Sequence, residues 1–101
     1  MHLIQILLPR ADNDGAPFPD ALFAAVQREL TDKFGGVTAF SRAPAEGVWR
    51  QGGARQHDDI VIVEVMAREL DRDWWRRFRL SLEKTFRQER LVIRSQIIEM
   101  L

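Results

Sequence analysis

The chain contains no cysteine, which excludes disulfides, thiolate metal sites and a thiol nucleophile together. That absence suits a reducing compartment. Histidine is scarce, with only His2 and His57, far apart in sequence, so no pair stands at metal-ligand spacing. Charge of one sign is not in excess either. Lys+Arg and Asp+Glu both total 15, the net charge is zero, and a balanced chain has no general reason to seek nucleic acid or an anionic membrane. Long apolar runs are missing. The first one ends at Pro9 and has no basic segment before it, so neither a signal peptide nor a membrane span is expected, and the expected location is cytoplasmic. Phosphate-binding, dinucleotide-binding and nucleophile-elbow motifs do not occur, so no cofactor and no metal ion is expected.

What the chain does have is an ordered series of apolar patterns over 101 residues, a length that suits a single domain spanning 1–101 with a modest core. An apolar strand at His2–Pro9 precedes an amphipathic helix over Asp20–Phe34. Strand-like stretches follow at Val37–Arg42 and Ile60–Met66, then a second amphipathic helix over Asp71–Gln88 and a last strand at Leu91–Glu99. This β-α-β-β-α-β order predicts an α+β, ferredoxin-like split-βαβ fold with a four-stranded antiparallel sheet and both helices on one face. Ile4, Ile6 and Leu8 alternate with Leu3, Gln5 and Leu7. Val61, Val63 and Val65 alternate with Ile60, Ile62, Glu64 and Met66. Strands apolar on both faces belong in the centre of a sheet; the mixed second and last strands suit its edges.

Leu22, Phe23, Val26, Leu30 and Phe34 form the apolar stripe of the first helix, with Asp20 as the expected N-cap and Gly35-Gly36 as its stop. Trp75, Phe78, Leu82 and Phe86 form the stripe of the second, capped by Asp71. Of the adjacent Trp74 and Trp75, one must be partly exposed, because neighbours cannot share a helix face. The sheet face away from the helices then carries Leu3, Leu7, Ile60, Ile62 and Phe40 without intrachain cover. Such a patch is rarely left in water, so a homodimer through Leu3, Leu7, Ile60 and Ile62 is expected.

Between the second and third strands the chain runs long. Gly47–Gln51 suggests a short extra strand or flap, and Gly52–His57 an exposed turn. Within it, His57 beside Asp58 and Asp59 is a general base, a metal ligand or a solvated loop histidine, the last favoured. Trp49 with Arg50 either lines a small-molecule pocket, the arginine holding a carboxylate, or packs at the edge of a core. Glu64 interrupts a central apolar strand. It is a pocket acid or the partner of an arginine, with Arg42 or Arg94 in reach if their strands point the same way. The basic residues of the second helix (Arg72, Arg76, Arg77, Arg79, Lys84, Arg87) are diluted by Asp71, Asp73, Glu83 and Glu89 and read as a solvated, ion-paired face.

The runs Leu30-Thr31-Asp32-Lys33-Phe34-Gly35-Gly36-Val37-Thr38, Gly47-Val48-Trp49 and Phe86-Arg87-Gln88-Glu89 resemble segments of small uncharacterised bacterial proteins of ferredoxin-like fold. More broadly the chain resembles the dimeric α/β-barrel superfamily, in which two such sheets pack face to face. That resemblance implies a binder of a small organic ligand. It equally admits a cofactor-independent enzyme of monooxygenase or isomerase type using Glu64 or His57, or an interaction module without ligand. Ligand-binding candidates are Trp49, Arg50 and Arg42, and no histidine on the sheet suggests haem ligation.

Overall fold

The computed structural model describes residues 1–42, 50–51, 54–55 and 60–101, with positions 39–42, 50–51 and 54–55 described at the backbone. The elements run β1 (His2–Pro9), α1 (Asp20–Phe34), β2 (Thr38–Arg42), β3 (Arg50–Gln51), β4 (Ala54–Arg55), β5 (Ile60–Ala67), α2 (Arg72–Thr85) and β6 (Val92–Ile97). The architecture is α+β, with two helices beside an antiparallel sheet of order β2-β5-β1-β6. β1 and β5, the two strands apolar on both faces, hold the middle. β3 and β4 pair with each other as a separate ribbon, Arg50 opposite Arg55. The expected extra strand at 47–51 is therefore realised at Arg50–Gln51, with 47–49 outside the described residues. Ala54–Arg55, expected inside a turn, are strand instead, because they pair back on Arg50–Gln51.

Period-two alternation decides which face is filled. Ile4, Ile6 and Leu8 of β1 and Val61, Val63 and Val65 of β5 are buried under the helices. Phe23, Val26 and Leu30 of α1 and Trp75, Phe78 and Leu82 of α2 meet them. Full burial of side chains of this size contributes about 1.5–3 kcal/mol each. One end of the core is aromatic. Phe34 stacks on Trp75 at 5.3 Å between centroids, Trp74 stacks on Phe78 at 4.9 Å, and Lys33 Nζ lies 4.7 Å from the Trp74 ring centroid. Trp75 is buried and Trp74 half-buried, as their adjacency requires.

The helix ends depart from the sequence reading in two places. Pro19, not Asp20, is the N-cap of α1; its extended backbone places its carbonyl to accept from Leu22 N–H, while Asp20 supplies negative charge in the first turn. Phe18 and Phe23 occupy the positions flanking such a cap, and both pack on Phe86 with centroids at 5.0 and 5.5 Å. The second helix ends at Thr85 rather than Gln88. Gln88 N–H donates to Glu83 O and Arg87 N–H to Lys84 O, a Schellman closure that puts Arg87 at φ 52°. With no glycine there, the sequence carried no stop signal. The other two caps fall as expected: Asp71 accepts from Trp74 N–H at 3.1 Å, and Gly35 adopts φ 82° and donates to Thr31 O.

Candidate functional site

Register turns the open face of the sheet into rows. Gln5 lies opposite Glu64 on β5 and opposite Arg94 on β6, and Glu64 lies opposite Thr38 on β2. A polar row therefore crosses the sheet perpendicular to its strands. The rows beside it are mainly apolar, with Ile62, Leu7 and Val92 on one side and Met66, Leu3 and Gln96 on the other. Residues directly opposite on antiparallel strands share a face, so Arg94 does point to the side of Glu64.

Among the described side chains, Glu64 meets Arg94 through Gln5 and not directly. Gln5 Nε2 donates to Glu64 Oε2 at 2.6 Å, and Arg94 Nε donates to Gln5 Oε1 at 2.8 Å. A side-chain amide can serve both neighbours, turning its carbonyl to the cation and its NH2 to the anion. For Arg94 the expected pair is a three-residue relay over three strands, whereas the Arg42 side chain lies outside the described residues. Sequence reading missed Gln5, although a signal was present: it is the one polar residue among Leu3, Gln5 and Leu7, as Glu64 is in β5.

Beside the relay lies a cleft of about 440 Å³. It opens where α1 turns through Gly35 and Gly36 into β2, with Leu3, Phe34, Val37 and Met66 as apolar walls and Thr38 and Glu64 as polar ones. The helix stop brings its lining together: after the left-handed Gly35 the chain turns into β2, where Thr38 stands opposite Glu64. Leu3 and Glu64 are partly exposed and Met66 is 52 % exposed, so this region is not sealed within one chain.

Expectations for the rest of the open face hold in part. Leu3, Leu7 and Ile60 are half-exposed, and Val92 is 48 % exposed. Ile62 is the correction: it is 1 % exposed within the single chain, yet belongs to no helix-side cluster. It is already covered and is not part of an uncovered patch. Phe40 stands in register with Ile62, and Arg42 with Ile60.

Among the other candidates, Trp49 and His57 lie outside the described residues, and Arg42 and Arg50 are placed by their backbone alone. His2 is a half-buried residue at the start of β1. Within α2, Arg76 pairs with Asp73 and Arg79 with Glu83 at 2.8 Å; beyond its end, Arg87 pairs with Asp12 at 3.4 Å. Glu83 also accepts Leu91 N–H at 2.9 Å, tying the end of α2 to the start of β6. That backbone hydrogen bond, aided by Arg79, holds its carboxyl below the ordinary value of 4.5. A second cleft, of about 270 Å³, lies between α2 and β6 over Trp75 and Ile93, rimmed by Arg72, Arg76 and Arg79. Arg94 lines it as well, and of these four arginines Arg76 and Arg79 are in the pairs just described. No group of three or more His, Cys, Asp or Glu placed to hold a metal occurs among the described residues, and no helix among them is long and apolar enough to cross a membrane. Comparison with protein-family models, with curated proteins and with solved structures returns no match to this chain.

Proposed function

We propose that the protein is a homodimer of ferredoxin-like chains, packed through their open sheet faces, that binds a small organic molecule beside Glu64. The observation that carries the reading is the relay Glu64–Gln5–Arg94 set among mainly apolar rows and bordering the 440 Å³ cleft. Central strands have no local use for a carboxylate, and a valine there would suit the strand better. A cleft of this size with apolar walls and few convergent polar groups is the ordinary form of a small-ligand site. Glu64 Oε2 is engaged by Gln5, so Oε1 and the Thr38 hydroxyl are the groups offered to a ligand. The molecule that suits them is mainly apolar, with one amine or hydroxyl donor. The β-α-β-β-α-β order and the sheet order β2-β5-β1-β6 support the dimeric α/β-barrel likeness.

Native mass spectrometry of the protein as purified from its expressing cell tests the reading. The expected result is a dimer carrying a small-molecule adduct, with the adduct lost and the dimer kept in Met66→Trp, which fills the cleft and leaves the polar row intact. A monomer, or an adduct indifferent to Met66→Trp, contradicts it.

A further inference from the structure

The polar row has a symmetry property that specifies how a second copy can sit. Its acid and its base stand one strand to either side of β1, at Glu64 on β5 and Arg94 on β6, both level with Gln5. With strands spaced about 4.8 Å apart, the two positions are about 10 Å from each other. Resting on the dimer reading above, we infer that the second copy is related by a two-fold axis parallel to β1, midway between the two sheets, so that Glu64 of each copy faces Arg94 of the other.

Rotation about such an axis exchanges left and right across β1 and preserves height along it. The polar row therefore lies over the polar row, and Leu7 over Leu7. The acid side of one chain meets the base side of the other twice, as an isologous interface demands. The competing in-plane axis, perpendicular to the strands, fails on electrostatics. Passing through the polar row, it stacks Glu64 on Glu64 and Arg94 on Arg94. Passing through any other row, it lays the charges on apolar side chains, where they are unpaired. Sheets stacked about 10 Å apart and crossed by about 30° displace residues this near the axis by only a few ångström, within the reach of Glu and Arg side chains.

The hydrogen bonding within one chain leaves the right atoms over. Gln5 uses Glu64 Oε2 and Arg94 Nε. Among the described residues Glu64 Oε1 and the two terminal nitrogens of Arg94 have no partner, and Arg94 is exposed. In the assembly the relay closes into a ring of two acids, two amides and two guanidinium groups. Arg94 of the second copy then forms a wall beside the Glu64 cleft.

Charge exchange tests the axis. Glu64→Arg and Arg94→Glu are each prepared alone, mixed in equal amounts, and combined in one chain, with folding checked by circular dichroism and assembly read by sedimentation velocity. Each single variant puts like charges at both contacts and should dimerise about tenfold more weakly or worse. The equimolar mixture, in which Arg meets Glu at both contacts, should recover the dimer, as should the double variant. A folded double variant that stays monomeric overturns the inference. So does a mixture no better associated than its components, or single variants as dimeric as the wild type. A wild-type chain that is itself monomeric at micromolar concentration overturns the dimer reading along with it, whereas a wild-type dimer indifferent to the exchanges removes only the axis.

Discussion

The two faces of one sheet have been solved differently by the same two strands. Under the helices, the middle of β1 and β5 presents branched aliphatics, and Ile4, Ile6, Leu8, Val63 and Val65 are at most 1 % exposed. On the other side the same strands present Leu3, Leu7, Ile60 and Met66 partly or largely open, with Gln5 and Glu64 among them. The first face is closed by local chain. Helices entered through Pro19 and Asp71 return over it, and Phe18, Phe23 and Phe86 plug its end. The second has hydrogen bonds where the first has packing. A face that only stabilised the monomer would gain nothing from a carboxylate in its middle. A face meant to recognise something gains orientation from it, because charges arranged in a row accept few matches.

The contrast can be broken from either side. The largest effect is expected on the helix side. Phe86→Ala removes a ring with no exposed surface, which holds both Phe18 and Phe23. It should cost about 3–5 kcal/mol in urea unfolding, a large part of the stability of a domain this size. Ile62→Lys belongs to the same class despite its place on the other face. At 1 % exposure the ammonium would be buried without a partner, so the monomer itself should lose several kcal/mol.

Leu7→Asp should behave oppositely. Leu7 is partly exposed and in register with the exposed Val92, so Leu7→Asp should cost the fold less than Phe86→Ala, about 1–2 kcal/mol. The dimer should be lost, since two aspartates would face each other across the interface. If Leu7→Asp unfolds the chain as Phe86→Ala does, the two faces are equivalent and the comparison fails.

A smaller, pH-dependent effect is expected at Glu83. Its folded carboxyl is held below 4.5 by Leu91 N–H and then by Arg79. A depressed carboxyl stabilises the fold at pH above its unfolded value and ceases to as pH falls through the folded one. Urea midpoints measured from neutral to acidic pH should therefore fall less steeply in Glu83→Gln than in wild type. Equal slopes would remove the stabilising role of this tie. The smallest effect is expected for Arg76→Ala. Its pair with Asp73 is exposed at both ends, 63 % and 73 %, and the change should stay within about 0.5 kcal/mol by the same unfolding assay.

How far the sequence disclosed this molecule followed from which physics was local. Alternation in β1 and β5 and the stripe Trp75–Phe78–Leu82–Phe86 named the helix-side core, because burial on one face leaves a periodic trace. Asp71 and Gly35 were readable because their caps use side-chain or backbone properties unique to those residue types. Pro19 displaced Asp20 as cap because a carbonyl, not a carboxylate, met the first turn. Arg87 ended α2 in a left-handed conformation that its residue type does not advertise, held between Asp12 and the ring of Phe18. Glu64 was legible as an anomaly, but its partner was not. Register between β1, β5 and β6 is a tertiary fact, and it placed Gln5 between the acid and the base.

The central claim is that the open face exists to meet a second copy of the chain. Sedimentation equilibrium of the wild-type protein tests it most directly. A single species of twice the 11.7 kDa chain mass is expected at micromolar concentration. A species of one chain mass throughout that range would contradict it.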